Sequence, residues 1–317
     1  MKFKIGIRNS KLSNIQTQNF IEEICLNNKN LRQEQFQVKH IKTSGDIHNN
    51  TRLDQIGGKG LFIREIEKEI ISGEIDFGIH SIKDMPVKEN SETKIACWSK
   101  RLDPREAFIS NSSKTLMDLP SGSLVGTSSV RRRAQVLSTR SDLSIKLLRG
   151  NVDTRIKKLR AKEYDAIILS YAGLCRLGLQ NEVNDLLDLE NFLPPAGQGS
   201  VGIQTRSESK YPFLDRVNDQ ITQYCCEAER HVLRLINANC NSPISVYAKV
   251  NKSKIIISSK IYDHTGEIIF ENMIEGELKN HLHLASEVGM NILQRLTQEK
   301  IDELNNLKDD FNYKAEI

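Results

Sequence analysis

Aromatic residues are scarce in this chain: one Trp, seven Tyr and ten Phe make up 6% of it. Surfaces that grip single-stranded nucleic acid interleave aromatics with positive charge, and the most basic stretch, Gly126 to Arg160, has none. No apolar run reaches the roughly 18 residues of a membrane-spanning helix, so no membrane partner is expected. The opening MKFKIGIRNS has neither a long apolar segment nor a cleavage-like site, so a secretory leader is not expected. The six cysteines include no C-x-x-C pair and none lies near a His at zinc-type spacing. With no leader, they are expected to be free thiols in a reducing cytoplasm. His281 and His283 are close, but a spacing of two on a helix points them to different faces, so no metal site is expected. A G-x-x-x-x-G-K-[ST] phosphate loop is absent, as are internal repeats and low-complexity segments.

What is present is a near balance of charge, 45 Lys and Arg against 41 Asp and Glu. Such a balance names no polyanionic partner by itself. The 317 residues allow two or three domains with sizeable cores. Phe3 to Ile7 reads as a strand, and Ser10 is placed to cap the helix that follows. Phe36, Val38 and Ile41 alternate as a second strand. A polar loop runs from Thr43 into Gly57-Gly58-Lys59-Gly60, where three glycines suggest mobility or close approach of backbone to a ligand. A helix over Leu61 to Ile71 and strands at Ile75 to Ile79 and Ile95 to Trp98 complete an alternation that implies a parallel sheet with helices on its faces. Ser99 to Arg105 and Leu193 to Gly199 then break the pattern with charge, Pro and Gly. Between them strands and helices alternate again, and Val201 to Thr205 reads as a strand returning to the first domain.

This layout predicts an α/β fold of two lobes with a cleft between them, as in two-lobed binding proteins. Lobe 1 comprises 1–99 plus 200–219, and lobe 2 is an insertion over 105–193. A small α+β domain, 220–317, follows, with three strands, a hairpin turn at Asp263 to Gly266 and a helix near His281 to Leu296. The charged tail after Lys308 is expected to be loose.

Three stretches carry chemistry. His80-Ser81-Ile82-Lys83-Asp84-Met85-Pro86 follows a strand, and Pro86 favours a turn there. Ligands bind at that edge of open α/β sheets. Lys83 favours an ionised Asp84, able to stabilise a cation or shuttle a proton; read alone, the pair also suits a surface turn. The second stretch is Gly126 to Arg160, with ten Lys and Arg against Asp142 and Asp153, a net +8. Thr127, Ser128 and Ser129 precede a helix whose first turn holds Arg131, Arg132 and Arg133, the wrong charge for a helix N-terminus. Arg131, Arg132, Arg149 and Arg155 cluster at turns after strands, which suits a bound multi-anion gripped by guanidinium forks. Lys157, Lys158 and Arg160 read as a solvated helix face. Third, Cys240 stands in a polar loop, where it is either buried filler or a thiolate nucleophile.

These pieces, in order, resemble the porphobilinogen deaminase (hydroxymethylbilane synthase) family. The matching runs are GIRNSKLS, GGKGLF, HSIKDMP, DPREAF, VGTSSVRRRAQ, LRGNVDTR, YDAIILSYAGLCRLGL, LPPAGQGSVGI and CNSPISVYA. The resemblance implies an enzyme of tetrapyrrole synthesis that joins four porphobilinogen units head to tail with release of ammonia. It implies two lobes like the type II periplasmic binding proteins and a third domain carrying a dipyrromethane cofactor on Cys240 through a thioether.

Carried onto this chain, Asp84 is the catalytic carboxylate. Ser81, Lys83, Thr127, Ser128, Ser129, Arg131, Arg132 and Arg155, with Asp84, serve the cofactor and growing chain. Arg8, Ser10, Arg149 and Gln198 serve the incoming unit, and Lys59 belongs to a loop over the cleft. The partners implied are porphobilinogen and the growing polypyrrole, with no nucleic acid or membrane, and the chain is expected to act as a monomer. A two-lobed polycarboxylate carrier without catalysis is the alternative. The chain departs from the family around the cysteine. Ala238-Asn239 replace Gly-Gly before it, and Asn241-Ser242-Pro243-Ile244-Ser245 replace Gln-Val-Pro-Ile-Gly after it. Asn239, tolerant of left-handed angles, is expected to preserve the turn. Arg64 stands where relatives often have Lys.

Overall fold

The structure is a computed structural model that describes residues 2–43, 63–239 and 242–306. The Gly57 to Gly60 loop with Lys59, the cysteine Cys240 and the tail after Lys308 lie outside the described residues. By their contacts the residues form two compact units, 1–102 with 197–224 and 103–196 with 225–317.

In the first unit β1 (Phe3–Arg8) leads into α1 (Lys11–Asn27), whose N-cap is Ser10; its side chain accepts from the Ser13 amide at 3.1 Å. Then come β2 (Phe36–Ile41), α2 (Arg64–Ile71), β3 (Phe77–Ser81) and β4 (Thr93–Trp98). Arg64 opens α2 with the unfavourable charge, and Glu65 and Glu67 in the same turn offset it.

The chain enters the second unit at Asp103. There it builds β5 (Glu106–Ser110), β6 (Leu124–Thr127), α3 (Val130–Thr139) and β7 (Ser144–Leu147). After these come α4 (Val152–Arg160), β8 (Ala166–Ser170), α5 (Tyr171–Leu177) and β9 (Asp185–Leu186). The chain then rejoins the first unit through β10 (Val201–Arg206) and runs into α6 (Gln220–Leu235).

The two sheets share one plan. The first is ordered β2-β1-β3-β10-β4 and the second β7-β6-β8-β5-β9. In each, the first three strands are parallel and the fourth runs antiparallel to both neighbours. The sequence pattern implied parallel sheets, and the sheets are mixed. The reversed strand in each, β10 or β5, is the one that arrives from the other unit, so it enters from the opposite edge. Periodicity reports burial and cannot report that direction.

Five of the scarce aromatics gather in one cluster of the first unit. Phe3 stacks on Phe36 at 5.4 Å, and Tyr211 meets Phe77 edge-on at 4.6 Å, with Phe213 beside them. Phe3, Phe36 and Phe77 are buried, each burial worth about 1.5–3 kcal/mol, and Tyr211 and Phe213 are partly buried against them. In the second unit β5 is buried along its whole length, and Phe108, Val125 and Ile168 fill one side of the sheet.

The rest of the second unit is an antiparallel sheet of β11 (Ile244–Asn251), β12 (Lys254–Tyr262) and β13 (Ile268–Glu277). Helix α7 (His281–Arg295) packs on it, and α8 (Gln298–Asn305), which the sequence pattern did not reveal, follows. The β12–β13 turn lies against α3: a Cβ on Gly266 would stand 2.7 Å from the Ser138 nitrogen.

Candidate active site

In the first unit, the carboxyl ends of the parallel neighbours β1 and β3 lie side by side. Arg8 ends β1 half-buried, and Ser10 spends its hydroxyl on capping α1. Ser81 ends β3, and its Oγ accepts from Gln16 Nε2 at 3.0 Å. A single 3-10 turn, Ile82–Asp84, follows, closed by the Met85 amide on the Ile82 carbonyl at 3.0 Å. Met85 is extended, as Pro86 requires. This turn leaves Ile82 buried and the Asp84 carboxylate exposed.

Because β10 is antiparallel to β3, the segment before it reaches the same edge. Val201 pairs with Ser81, and the Ile82 amide donates to the Ser200 carbonyl at 3.1 Å. The sequence pointed Lys83 at Asp84; here Lys83 Nζ donates to Gln198 Oε1 at 3.1 Å. Gln198 is fully buried, and its carbonyl accepts from Arg101 Nε at 2.8 Å. Arg8, Ser10, Ser81, Lys83, Asp84 and Gln198 therefore share one sheet edge.

The second unit repeats the arrangement. Thr127 ends β6, and its buried Oγ1 accepts from the Ser129 amide at 3.1 Å. Ser129 is the N-cap of α3, accepting from the Arg132 amide at 3.3 Å, and Ser128 lies half-buried between them. Arg149 is half-buried in the turn after β7, and Arg155 in the first turn of α4 donates Nε to the Gly150 carbonyl at 2.7 Å.

Arg131 and Arg132 differ from the sequence reading, which set them apart from salt-bridged cations. Both are buried, at 5% and 7% exposure, and both are ion-paired to Glu106, which is fully buried. Arg131 Nη2 meets Glu106 Oε1 and Arg132 Nη2 meets Glu106 Oε2, each at 2.6 Å. Arg131 Nη1 also donates to Gln135 Oε1 at 2.8 Å and to the Leu193 carbonyl at 3.0 Å. Burial lowers the Arg131 pKa, and the charge of Glu106 opposes that shift. Glu106 answers the repulsion expected at the N-terminus of α3. The +8 count missed it because the acid comes from an earlier strand. Arg160 is likewise balanced from outside the segment, by Glu182, and Arg140 by Asp142 within it.

Two guanidinium groups and one carboxylate leave this buried set at +1. Among the described residues, Arg132 Nε, also buried, has no hydrogen-bond partner. Buried charge without a counter-ion is costly. A cofactor bearing several carboxylates fits these donors.

Sequence reading did not single out Glu106 or Gln16. The signal for Glu106 was available: an acid opening a strand with an apolar Ala107-Phe108-Ile109 centre calls for a buried cation. Gln16 left none, since a Gln on a helix face reads as solvent-exposed. Among the described residues no cluster of His, Cys, Asp and Glu could hold a metal ion. No described helix is long and apolar enough to cross a membrane.

Asn239 does not take the left-handed conformation expected of it. Asn237 does, at φ 53°, and it ends α6: its amide donates to the Arg234 carbonyl and that of Ala238 to the Leu233 carbonyl. These two bonds are the usual helix-ending pair that a glycine often serves.

The chain is thus an α/β protein with two mixed sheets, each with cations and hydroxyls gathered at one edge. Residues 3–211 match the model for porphobilinogen deaminase, dipyromethane cofactor binding domain, and residues 223–298 the model for porphobilinogen deaminase, C-terminal domain. Porphobilinogen deaminases of Bacillus cereus and Bacillus anthracis are 39% identical over 307 residues, 96% of this chain and 96% of each relative. The chain belongs to the porphobilinogen deaminase family. Its likeness to solved structures is remote. A putative methionine-binding lipoprotein of Bacillus subtilis gives a TM-score of 0.42 at 14% identity, over 68% of this chain and 87% of that one. The second substrate binding domain of GlnP from Lactococcus lactis gives 0.40 at 12%, over 68% and 86%.

Proposed function

We propose that this chain condenses four porphobilinogen molecules head to tail to the linear tetrapyrrole hydroxymethylbilane, with release of ammonia. The observation that carries the reading is the buried, net-positive Arg131–Arg132–Glu106 set, lying inside the match to the cofactor-binding domain. A dipyrromethane group on Cys240, held through a thioether, supplies the primer end to which units are added.

Arg131, Arg132 and Arg155, with the hydroxyls of Thr127, Ser128 and Ser129, hold carboxylate arms by charge-assisted hydrogen bonds, each worth about 1.5–3 kcal/mol. Lys83 and Ser81 do the same from the first unit. Gln198 orients the Lys83 ammonium through the bond already described. Arg8, Ser10 and Arg149 receive the carboxylates of the incoming unit, and Lys59 adds a further cation. Asp84 accepts hydrogen bonds from pyrrole N–H groups and offsets the positive charge that develops as the amine departs. Its carboxylate is also suited to relay the proton.

We treat 220–317 as a third domain and the protein as a cytoplasmic monomer.

The test is an intact mass of the purified protein with peptide mapping, alongside steady-state release of ammonia from porphobilinogen. A two-pyrrole adduct on Cys240, absent from Cys240→Ser, is the expected result. A protein that stays unmodified after incubation with porphobilinogen overturns the reading.

A further inference from the structure

Family members resembled by this chain place Gly-Gly before the cysteine, and here the residues are Ala238 and Asn239. The structure puts a specific set of polar contacts around that substitution. Asn305, the last residue of α8, accepts through Oδ1 from the Asn239 amide at 3.2 Å and from Ser242 Oγ. Its Nδ2 donates to the Asn237 carbonyl at 2.9 Å, and its carbonyl accepts from Asn239 Nδ2 at 3.5 Å. The flanks are also tied to each other. The Ser242 amide donates to the Asn239 carbonyl at 3.2 Å, and the Asn239 amide to Ser242 Oγ at 3.2 Å.

Helix α8 is itself well anchored. Thr297 caps it by accepting from the Lys300 amide at 3.3 Å, and Ile301 and Leu304 are buried. At its start Gln298 Nε2 donates to the Ile236 carbonyl at 3.3 Å, just past α6. The match to the C-terminal family model stops at residue 298, so the rest of α8 lies beyond it. One asparagine side chain thus grips three residues of a loop 66 positions away.

We infer that Asn305 is a positioning residue for the cysteine loop. By holding Asn237, Asn239 and Ser242, it fixes the chain on both sides of Cys240 and so sets how readily that thiol acquires its cofactor. This chain ties the flanks of that loop with side-chain hydrogen bonds from α8. The inference rests on the reading that Cys240 carries the cofactor.

The experiment uses the full-length chain made without its cofactor, in a host unable to form porphobilinogen. Wild type, Asn305→Ala, Asn305→Asp and Asn306→Ala are compared. Hydrogen exchange is followed over the peptide spanning 237–243, and adduct formation on added porphobilinogen is followed by intact mass. In Asn305→Ala, loss of the side-chain bonds speeds exchange in that peptide about tenfold and slows adduct formation several-fold, about the effect of one hydrogen bond. Asn305→Asp keeps the acceptor for Asn239 and Ser242 but loses the donor to the Asn237 carbonyl, so its loading rate falls between those of Asn305→Ala and wild type. Asn306→Ala, one residue on, with its side chain donating to the Asp302 carbonyl of its own helix, behaves as wild type. A melting temperature for each variant separates loop effects from general unfolding.

Wild-type exchange and loading in Asn305→Ala overturn the inference. If wild type itself takes up no pyrrole, the reading of Cys240 falls, and the exchange data still decide whether Asn305 holds the loop.

Discussion

Gly197 lies against Ile82 so closely that a Cβ on the glycine would stand 2.2 Å from Ile82 Cγ2. Gly197 also has φ +74°, a region costly for other residues. It is therefore the wall behind the turn that exposes Asp84. Gly197→Ala should cost about 1–3 kcal/mol from overpacking alone and displace the turn. A lower melting temperature and at least a tenfold fall in turnover are expected, with the cofactor adduct retained in the mass spectrum. Unchanged turnover would separate this contact from the position of Asp84.

Asp84→Asn keeps the shape of the side chain and removes its charge. Turnover should fall about 10²–10⁴-fold, the range for losing a positioned proton-transfer group, while the adduct on Cys240 persists. Normal rates in this variant would take Asp84 out of the mechanism.

Glu106→Gln leaves Arg131 and Arg132 with no counter-charge in a buried setting. Removing one partner of such a set destabilises a protein by about 3–5 kcal/mol. Urea denaturation of the cofactor-free chain should register that loss, with a smaller deficit once carboxylate-bearing cofactor is in place. A variant as stable as the parent would show that the arginines are balanced some other way.

His80 is buried on β3, and burial lowers its pKa to about 4; Gln204 opposes that shift and the charge of Arg8 adds to it. Gln204 is itself tied to Glu67 Oε1 at 2.7 Å and to Thr93. In the unfolded chain the imidazole titrates near its ordinary value of about 6.5. Between these values the unfolded state binds a proton that the folded state does not, so stability is complete at neutral pH and falls on acidification. The loss should reach about 3 kcal/mol near the lower end, at about 1.4 kcal/mol per pH unit. His80→Asn should flatten that part of the profile in denaturation curves; an unaltered slope would assign it to another group.

Burial, with the charges of Glu23 and Asp215 adding to it, pushes the Cys97 thiol up to about 12. Cys97 should resist alkylation in the native protein and react only after unfolding. Labelling of native Cys97 at the rate of a free thiol would contradict its buried setting.

Much of the scaffold was legible along the chain. Ser10 announces its helix because a cap acts within one turn, and β11 to β13 follow a two-residue alternation that local burial imposes. The turn at Asp84 was legible too, since Pro86 constrains only its neighbour. The partner of Lys83 was not, because Gln198 lies 115 residues on and reaches it only through the reversed strand β10. Helix α8 escaped notice because two buried residues, Ile301 and Leu304, make too short a stripe to read as periodic.

By itself the amino-acid order determined where most strands and helices lie and, through nine ordered motifs, which family it resembles. Each of these depends on residues a few positions apart, where backbone geometry and side-chain period act directly. Tertiary structure alone decided that Glu106 pairs with two arginines, that Gln198 holds Lys83 and that Asn305 grips the flanks of Cys240. Those pairings join residues 25 to 115 positions apart, and only a folded backbone brings such groups within hydrogen-bonding distance.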